Sequence, residues 1–469
     1  MIYIMVIVSC TKHLCIFKKA MNDLFARYDV PAPRYTSYPT VPYWDNKNVT
    51  ENNWKLTVQN IFNETNSGEG ISIYIHLPYC ESLCTYCGCN TRITKNHSVE
   101  EPYIDAVLNE WAIYLSVFKN KPLIREIHLG GGTPTFFKAE MLERLINGIL
   151  LKSLVSPGYE FSVEAHPNNT NNKQLETLYN NGFRRISFGI QDFDPIVQKT
   201  INRIQSFETV QRVTDAARKT GFNSINFDLI YGLPYQTKES IANTINKVKL
   251  LKPDRIAFYS YAHVPWIKPG QRSYTEVDLP SGVEKRKLYE KGRKLLEESG
   301  YSEIGLDHFA LEKDSLNIAA SKRKLHRNFM GYTTNNTKLL VGLGASSISD
   351  GWYGFIQNEK KVEDYIQKVN SGNLGILRGH NHTKEDLMLR KIITDIMCKM
   401  ETALDMGNPI INEALVLIEP MIEDGLAYVF PGKLIVTEKG RPFLRNICMA
   451  FDKKLIDRQP GTQVFSSAI

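Results

Sequence analysis

Short apolar stretches alternate with amphipathic stretches along residues 71–299 of this 469-residue chain. Each apolar stretch has the length and the β-branched or aromatic content of a buried strand, and a helical pattern follows it. The predicted strands are residues 71–77, 126–132, 161–167, 185–192, 224–234 and 255–265. The helices predicted after the first three strands lie near residues 98–118, 138–151 and 172–180. A helical pattern follows the fourth strand as far as about residue 219, and the last two helices lie near 238–249 and 282–299.

Six strand–helix units predict an α/β fold built on a parallel sheet. The strands read as continuous apolar runs, which is typical of strands covered on both faces. Right-handed crossovers curl such a sheet into an incomplete barrel, two units short of the closed eight-stranded form. We therefore predict a three-quarter barrel with a lateral opening wide enough for a large substrate. A doubly wound flat sheet is the alternative.

The pattern changes after about residue 365. Helical stretches at 383–399 and 409–424 lead to an apparent β-hairpin and a last helix, an order that resembles a winged-helix module. Because no dense basic recognition helix is present, we predict a lid or packing domain and no nucleic-acid partner. The predicted organisation is residues 1–20 as an extra disordered leader, 21–70 as an N-terminal segment packing on the barrel, 71–364 as the catalytic partial barrel, and 365–469 as a mainly α-helical domain with a winged-helix-like hairpin.

Composition narrows the class of protein only modestly. The chain is 42% hydrophobic and 23% charged, with a formal net charge of +7, which is compatible with an anionic substrate. The apolar stretch 1–10 is too short to span a bilayer and lacks the basic region that precedes a signal peptide core. We therefore predict a cytoplasmic protein without a membrane partner.

Four of the eight cysteines fall within ten residues, on the loop after the first predicted strand. Cys80, Cys84, Cys87 and Cys89 follow the spacing C-x3-C-x2-C-x-C. Cysteines so closely spaced in a large chain indicate metal binding in a reducing compartment more often than disulfides. Thiolates suit both iron–sulfur clusters and zinc, but structural zinc usually takes two separated pairs, and no second pair exists here. Zinc is the weaker alternative.

Polar side chains lie where several predicted strands end. Glu164, Gln191, Asp228 and His263 occupy these positions, and residues 130–135 form a glycine-rich turn after the second strand. The carboxyl ends of parallel strands form the active-site edge of α/β folds. One such residue alone would more often cap the next helix. Several of them beside a cysteine cluster predict a functional site.

The cysteine loop resembles the cluster motif of radical S-adenosylmethionine (SAM) enzymes, in which an aromatic residue, here Tyr86, precedes the last ligand. The resemblance implies that Cys80, Cys84 and Cys87 hold a [4Fe–4S] cluster whose open iron is chelated by the amino and carboxylate groups of SAM. One electron from the cluster then splits SAM into methionine and a 5′-deoxyadenosyl radical. The glycine-rich turn resembles the segment that binds the methionine moiety of SAM.

From about residue 31 to its end, the chain is similar to the bacterial oxygen-independent coproporphyrinogen III oxidases (coproporphyrinogen dehydrogenases). The matching segments are PRYTSYPT (33–40), YIHLPYCESLCTYCGCN (74–90), HLGGGTPT (128–135), SVEAHP (162–167), FGIQDFDPIVQKTINR (188–203), FDLIYGLPYQT (227–237), YAHVP (261–265), GLDHFA (305–310), LHRNFMGYTT (325–334) and RNICMAFD (445–452). The family starts near Met21, so residues 1–20 are extra, and Ser467 stands where a basic residue is expected.

This resemblance implies oxidative decarboxylation of two propionate side chains of coproporphyrinogen III to vinyl groups, which gives protoporphyrinogen IX for haem biosynthesis. A hydrogen atom leaves the carbon β to the carboxylate, and loss of carbon dioxide and one further electron completes the vinyl group. Flavodoxin or ferredoxin would be the electron donor, and the protein would be a monomer. The alternatives are a related radical SAM haem chaperone or an anaerobic haem-degrading methyltransferase. The chaperones usually lack the fourth cysteine and the segment 33–40, both of which are present here.

The resemblance also implies two SAM molecules near the cluster. Contacts of the cluster-bound SAM correspond to Tyr74, Gly131, Glu164 and Ile348. Contacts of the second SAM correspond to Tyr86, Gly132, Thr133, Gln191, Arg203, Asp228 and Ala262. Cys89 matches a family cysteine that is not a cluster ligand.

Overall fold

Twelve strands form one mixed sheet in the computed structural model, which describes residues 21–47, 49–458 and 464–468. In chain order they are β1 (Ile71–Leu77), β2 (Leu123–Gly131), β3 (Leu154–Ala165), β4 (Arg185–Gln191), β5 (Ser224–Tyr231), β6 (Arg255–Ser260), β7 (Tyr301–Ile304), β8 (His308–Leu311), β9 (Leu339–Leu343), β10 (Ile348–Gly351), β11 (Gly354–Asn358) and β12 (Ile376–Asn381). Their order across the sheet is β12-β11-β10-β9-β1-β2-β3-β4-β5-β6-β8-β7. The predicted leader, residues 1–20, lies outside the described residues.

Strands β1 to β6 are parallel and lie in chain order, which confirms the predicted α/β fold with its strand–helix units. A doubly wound sheet would reverse its strand order near the middle, and this sheet does not. The six predicted strands are only half of the sheet. Strand β9 adds a parallel neighbour to β1, and β7, β8 and β10–β12 pair antiparallel at the two edges.

The strands are less uniformly apolar than the sequence suggested. On β3, Phe161 and Val163 belong to the hydrophobic core, whereas Ser162 and Glu164 between them line a cavity. The same alternation holds on β5, where Phe227 is in the core and Asp228 lines the cavity. Because successive side chains of a strand point to opposite faces, one face of the sheet is polar and encloses space for a ligand.

The helices that follow the strands confirm most of the predicted helical segments. The segment predicted at 172–180 is the helix Asn172–Asn180, which begins with reciprocal hydrogen bonds between Asn171 and Gln174. The described helices are residues 21–28, Glu51–Thr65, Glu100–Val117, Ala139–Leu150, Asn172–Asn180, Pro195–Thr200, Phe207–Thr220, Lys238–Leu251, Gly282–Glu297, Ser315–Ser321, Val362–Asn370, Lys384–Lys399, Pro409–Glu423, Leu444–Met449 and Lys453–Asp457. None of them combines the length and the apolar character that crossing a membrane requires.

A second, smaller core forms near the C-terminus. Strands β13 (Glu401–Ala403), β14 (Ala427–Phe430) and β15 (Lys433–Val436) form a separate sheet, in which β14 and β15 are the hairpin predicted after the two helices. Leu389, Ile411 and Leu434 pack in this core together with Tyr35 and Tyr38 from the N-terminal segment.

The predicted segment and domain boundaries divide the molecule differently from its two cores. Within segment 21–70, Tyr35 packs on the C-terminal core, while Trp54 packs on the core of the large sheet. The predicted boundary after residue 364 falls inside the helix Val362–Asn370, and β12 beyond it still pairs with β11. The large sheet therefore extends to Asn381.

Candidate active site

A cavity of about 360 Å³ opens where β1 to β6 end. It brings together most of the site residues predicted from the sequence, although they are spread over more than a hundred positions of the chain. The predicted residues that line it are Cys80, Cys84, Tyr86, Cys87, Gly131, Gly132, Thr133, Glu164, Gln191, Arg203 and Asp228.

Backbone hydrogen bonds hold the cysteine loop against the glycine-rich turn. The amide of Gly132 donates to Leu77 O at 2.9 Å, and that of Thr133 donates to Tyr79 O at 3.0 Å. Within the loop, the amide of Cys87 donates to Cys84 O at 3.1 Å, which closes a tight turn between two predicted ligands. These bonds fix the loop relative to the end of β2.

A polar and positive environment surrounds the thiols. The Thr133 hydroxyl lies 3.1 Å from Cys80 Sγ, and Arg203 Nη1 lies 3.7 Å from Cys84 Sγ. Donors and a cation next to thiolates favour the anionic ligand set of an iron–sulfur cluster. Among the described residues, no three His, Cys, Asp or Glu side chains are placed to hold a single metal ion. Three thiols with these neighbours fit the thiolate ligand set of an iron–sulfur cluster.

The glycine-rich turn provides a bare backbone surface. Gly131 adopts a φ of +113°, a left-handed conformation that favours glycine. A Cβ on Gly132 would lie 2.5 Å from Pro78 O, and one on Gly130 would lie 3.0 Å from the Glu164 carboxyl carbon. Side chains are excluded at this turn, so a ligand can contact the backbone directly.

Glu164 is fixed as an anion inside the cavity, with 44% of its side chain exposed. Its carboxylate accepts from the Gly131 amide at 3.0 Å and from His128 Nε2 at 3.3 Å. Desolvation alone would raise the pKa of Glu164, but these hydrogen bonds and the His128 charge hold it below the usual value. The carboxylate is thus ready to accept hydrogen bonds from a cationic or amino ligand group.

Arg203 and Gln191 form the opposite wall. Arg203 Nη2 donates to Gly189 O at 2.7 Å, and a Cβ on Gly189 would lie 2.9 Å from that nitrogen. Gln191, the last residue of β4, has a φ of +67°, which is strained for a residue other than glycine. Strain of this kind is characteristic of functional sites.

Of the carboxyl groups that line the cavity, that of Asp228 has the most strongly shifted pKa. Its oxygens accept from Ser187 Oγ at 2.9 Å and Asn226 Nδ2 at 2.8 Å. Burial raises the pKa of Asp228 to about 6, the nearby Glu164 carboxylate adds to the shift, and the two hydrogen bonds oppose it. Near neutral pH the folded protein therefore holds two neighbouring carboxylates in a partly desolvated site.

We expect Asp228→Asn to make the folded protein more stable above pH 6. Below about pH 3 the carboxyl is neutral in both folded and unfolded chains. As the pH rises to 6, the unfolded carboxyl ionises first, so the wild type loses stability relative to the variant. Above pH 6 the free energy of unfolding of the variant should exceed that of the wild type by about 1–2 kcal/mol, and this difference should stay constant at higher pH. Unfolding midpoints measured from pH 4 to 8 check it. The exposed Asp215→Asn is the control, and an Asp228→Asn variant no more stable at pH 8 would contradict the argument.

Several polar residues that line the cavity were not predicted from the sequence. His128 lies between Ser162 Oγ, 2.7 Å from its Nδ1, and Glu164, while Asn226 and Ser187 support Asp228. Cross-strand register explains this grouping, because His128 faces Ser162, and Ser187 faces Asn226 on the neighbouring strand. The signal that could have identified them is the polar residue at every second position of β2–β5.

Four residues predicted at the site do not line the cavity. Tyr74 lies behind it, with its ring stacked on His128 at 5.9 Å and its hydroxyl 3.0 Å from His76 Nδ1. Ile348 begins β10, and Ala262 accepts a hydrogen bond from Gln271 Nε2 at 3.2 Å. His263, the fourth residue, has its Nδ1 3.0 Å from the Tyr261 hydroxyl. The assignment of individual residues to the cluster or to either SAM stays a prediction.

Comparisons with known proteins agree with the geometry. Residues 74–248 match the family model of the Radical SAM superfamily. The chain is 37% identical over 446 residues to an oxygen-independent coproporphyrinogen III oxidase of Bradyrhizobium diazoefficiens, covering 93% of this chain and 97% of the relative. It is 36% identical over 454 residues to the Escherichia coli protein of that name, covering 95% and 98%. A solved structure of coproporphyrinogen III oxidase from Escherichia coli, described as a radical SAM enzyme, superposes with a TM-score of 0.84 at 36% identity, covering 90% of this chain and 97% of that chain. This chain therefore belongs to the oxygen-independent coproporphyrinogen III oxidase family of radical SAM enzymes.

Proposed function

We propose that the protein converts two propionate side chains of coproporphyrinogen III to vinyl groups without oxygen, giving protoporphyrinogen IX in haem biosynthesis. The observation that carries the proposal is one cavity lined by four cysteines, three of them the predicted ligands, by the glycine-rich turn and by polar side chains at the strand ends. Family membership supports the same substrate, because the relatives bear the name coproporphyrinogen III oxidase. We place the protein in the cytoplasm as a monomer, with flavodoxin or ferredoxin as its electron donor.

Cys80, Cys84 and Cys87 would hold a [4Fe–4S] cluster. When bound, the cluster supplies the electron that cleaves SAM. The protein's own contribution is to keep its loop fixed by the bonds from Gly132 and Thr133, and to place Arg203 beside Cys84.

The polar groups of the cavity offer separate partners for the two SAM molecules that we propose. For the cluster-bound molecule, the Glu164 carboxylate can accept from the amino group beside the bare backbone of Gly131, with Tyr74 and Ile348 as further contacts. For the second, Asp228 can accept from ribose hydroxyls, and Arg203 can pair with the carboxylate. The remaining proposed contacts of the second molecule are Tyr86, Gly132, Thr133, Gln191 and Ala262.

Anaerobic turnover tests this function. Protein with a reconstituted cluster, SAM and a reductant is expected to convert coproporphyrinogen III to protoporphyrinogen IX, with two molecules of carbon dioxide released per product. Chromatography of the oxidised porphyrins and measurement of carbon dioxide follow the reaction. Tight haem binding without turnover would overturn the proposal in favour of a haem chaperone. Opening of a haem ring with methyl transfer would favour the haem-degrading methyltransferase.

A further inference from the structure

A second cavity, of about 790 Å³, lies beside the cluster cavity. Its walls come from the N-terminal segment, the helix Gly282–Glu297 and residues 438–445. Consecutive residues separate the two cavities: Ser260 and Asp307 line the second, while Tyr259 and His308 line the first. The partition is therefore about one side chain thick, and a large ligand in the first cavity would lie close to the second.

Arg327 lines the second cavity at this partition. Only 8% of the residue is exposed, and among the described residues its Nε and Nη1 have no hydrogen-bond partner. Its Nη2 reaches Arg34 O at 3.4 Å, and its guanidinium carbon lies 4.3 Å from the Tyr332 ring centroid. A buried cation with unused donors destabilises a protein unless an anion pairs with it. The nearby carboxylate of Asp307 is already bonded to His308 Nδ1 at 2.7 Å.

Arg34 adds a second incompletely paired guanidinium to the same cavity. It donates to Ser260 O at 2.7 Å, and within the described residues it has no carboxylate partner. Buried Arg445 fixes the backbone that carries it, because Arg445 Nε donates to Pro33 O at 2.9 Å. Arg445 is thus a positioning residue for Arg34.

Three further arginines of this cavity have carboxylate partners, and Arg445 donates to backbone oxygens. Arg286 and Arg293 pair with Glu290, and Arg441 pairs with Glu438 at 2.9 Å. Among the described residues, Arg327 therefore combines unused donors with the lack of a carboxylate salt bridge at the partition with the cluster cavity. A cavity of this size is also in the range of sites for small organic ligands, about 300–1,000 Å³.

We propose that Arg327 and Arg34 bind the carboxylate of a substrate propionate other than the one reacting in the cluster cavity. This inference rests on the proposed function, which supplies a substrate with four such groups. A carboxylate forms strong charge-assisted hydrogen bonds with a guanidinium, and Nε and Nη1 of Arg327 are available as donors for it. Binding there orients the macrocycle and presents another propionate to the first cavity.

Arg327→Gln tests the inference in the cluster-loaded protein. We expect the KM for coproporphyrinogen III to rise about 10- to 100-fold, since a charge-assisted pair is lost. Affinity for coproporphyrin III, the fluorescent oxidised tetracarboxylate, should fall by a similar factor, while SAM cleavage without substrate is unchanged. The ligand-free variant should melt at the same or a higher temperature, because an uncompensated buried charge has been removed. Exposed Arg323→Gln, which loses its pair with Glu401, is the control.

The outcomes separate the inference from the proposed function. Unchanged KM and coproporphyrin III affinity, or a melting temperature that falls with unchanged affinity, would overturn the inference. Inorganic phosphate stabilising the wild type as strongly as coproporphyrin III would also overturn it, by showing a general anion site. If Arg327→Gln does not fold, Arg34→Gln carries the same test, and failure of both to fold would assign them a structural role. A wild type without turnover would reject the function, while loss of coproporphyrin III binding in the variant would still support the carboxylate site.

Discussion

Cys87→Ala is expected to abolish cluster binding and turnover together. Cys87 is joined to Cys84 by a backbone hydrogen bond of 3.1 Å, and both thiols border the cavity that also receives Cys80. The three thiolates would be the protein ligands of the cluster, so the variant would lack one of the three. Iron and sulfide analysis, with absorption and electron paramagnetic resonance spectra of the anaerobically reconstituted protein, measures the loss. Cys80→Ala and Cys84→Ala are expected to give the same result.

Cys89→Ala is the matched control for this prediction. Cys89 lies on the same loop, only two residues beyond Cys87, but it is the exposed member of the four. Lys268 Nζ donates to its backbone oxygen at 3.0 Å, a contact that alanine preserves. The variant should therefore keep its iron. Equal iron loss in Cys89→Ala and Cys87→Ala would refute the ligand assignment.

The helices and strands that were predicted correctly are those whose pattern is visible in a short stretch of sequence. The 3.6-residue pattern over 172–180 predicts a helix that Asn171 caps, and strands β1 to β6 each stand before a helix, so their order follows from chain order. Strands β7 to β12 were missed because they have only four to six residues, and some of them pair with strands far away in the chain. Strand β9, for example, pairs with β1 across more than 260 residues.

Most of the residues that line the candidate site were predicted from local sequence, whereas others were not. Cysteine spacing and strand-end residues such as Glu164 are visible locally, and the sheet brings them together. The contact of Arg327 with Arg34 spans 293 residues, and nothing in the local sequence of either arginine shows that its neighbours leave it unpaired. A buried charge without a partner is a property of tertiary packing, so only the structure could reveal it.

Gly132→Ala is expected to reduce SAM cleavage at least about 100-fold, because the two halves of the site meet at this residue. A Cβ there would lie 2.5 Å from Pro78 O and 2.9 Å from Leu77 O. Both obstacles are backbone atoms, and Pro78 O already accepts from the Arg92 amide at 2.8 Å, so neither can yield without moving the cysteine loop. The displacement should also weaken the bond from Gly132 to Leu77 O. Overpacking of this kind typically destabilises a protein by about 1–3 kcal/mol.

The rate of SAM cleavage under chemical reduction, together with the melting temperature, measures both effects. Gly68→Ala provides the control, because a Cβ at Gly68 meets nothing within 4 Å and the residue is remote from the cavity. It should cleave SAM at the wild-type rate and melt within about 1 °C of the wild type, since exposed substitutions rarely change stability by more than about 0.5 kcal/mol. A Gly132→Ala variant that binds SAM and cleaves it at the wild-type rate would show that the turn has room for a side chain. The close approach of Gly132 to Pro78 would then not be the contact that links the cysteine loop to the SAM site.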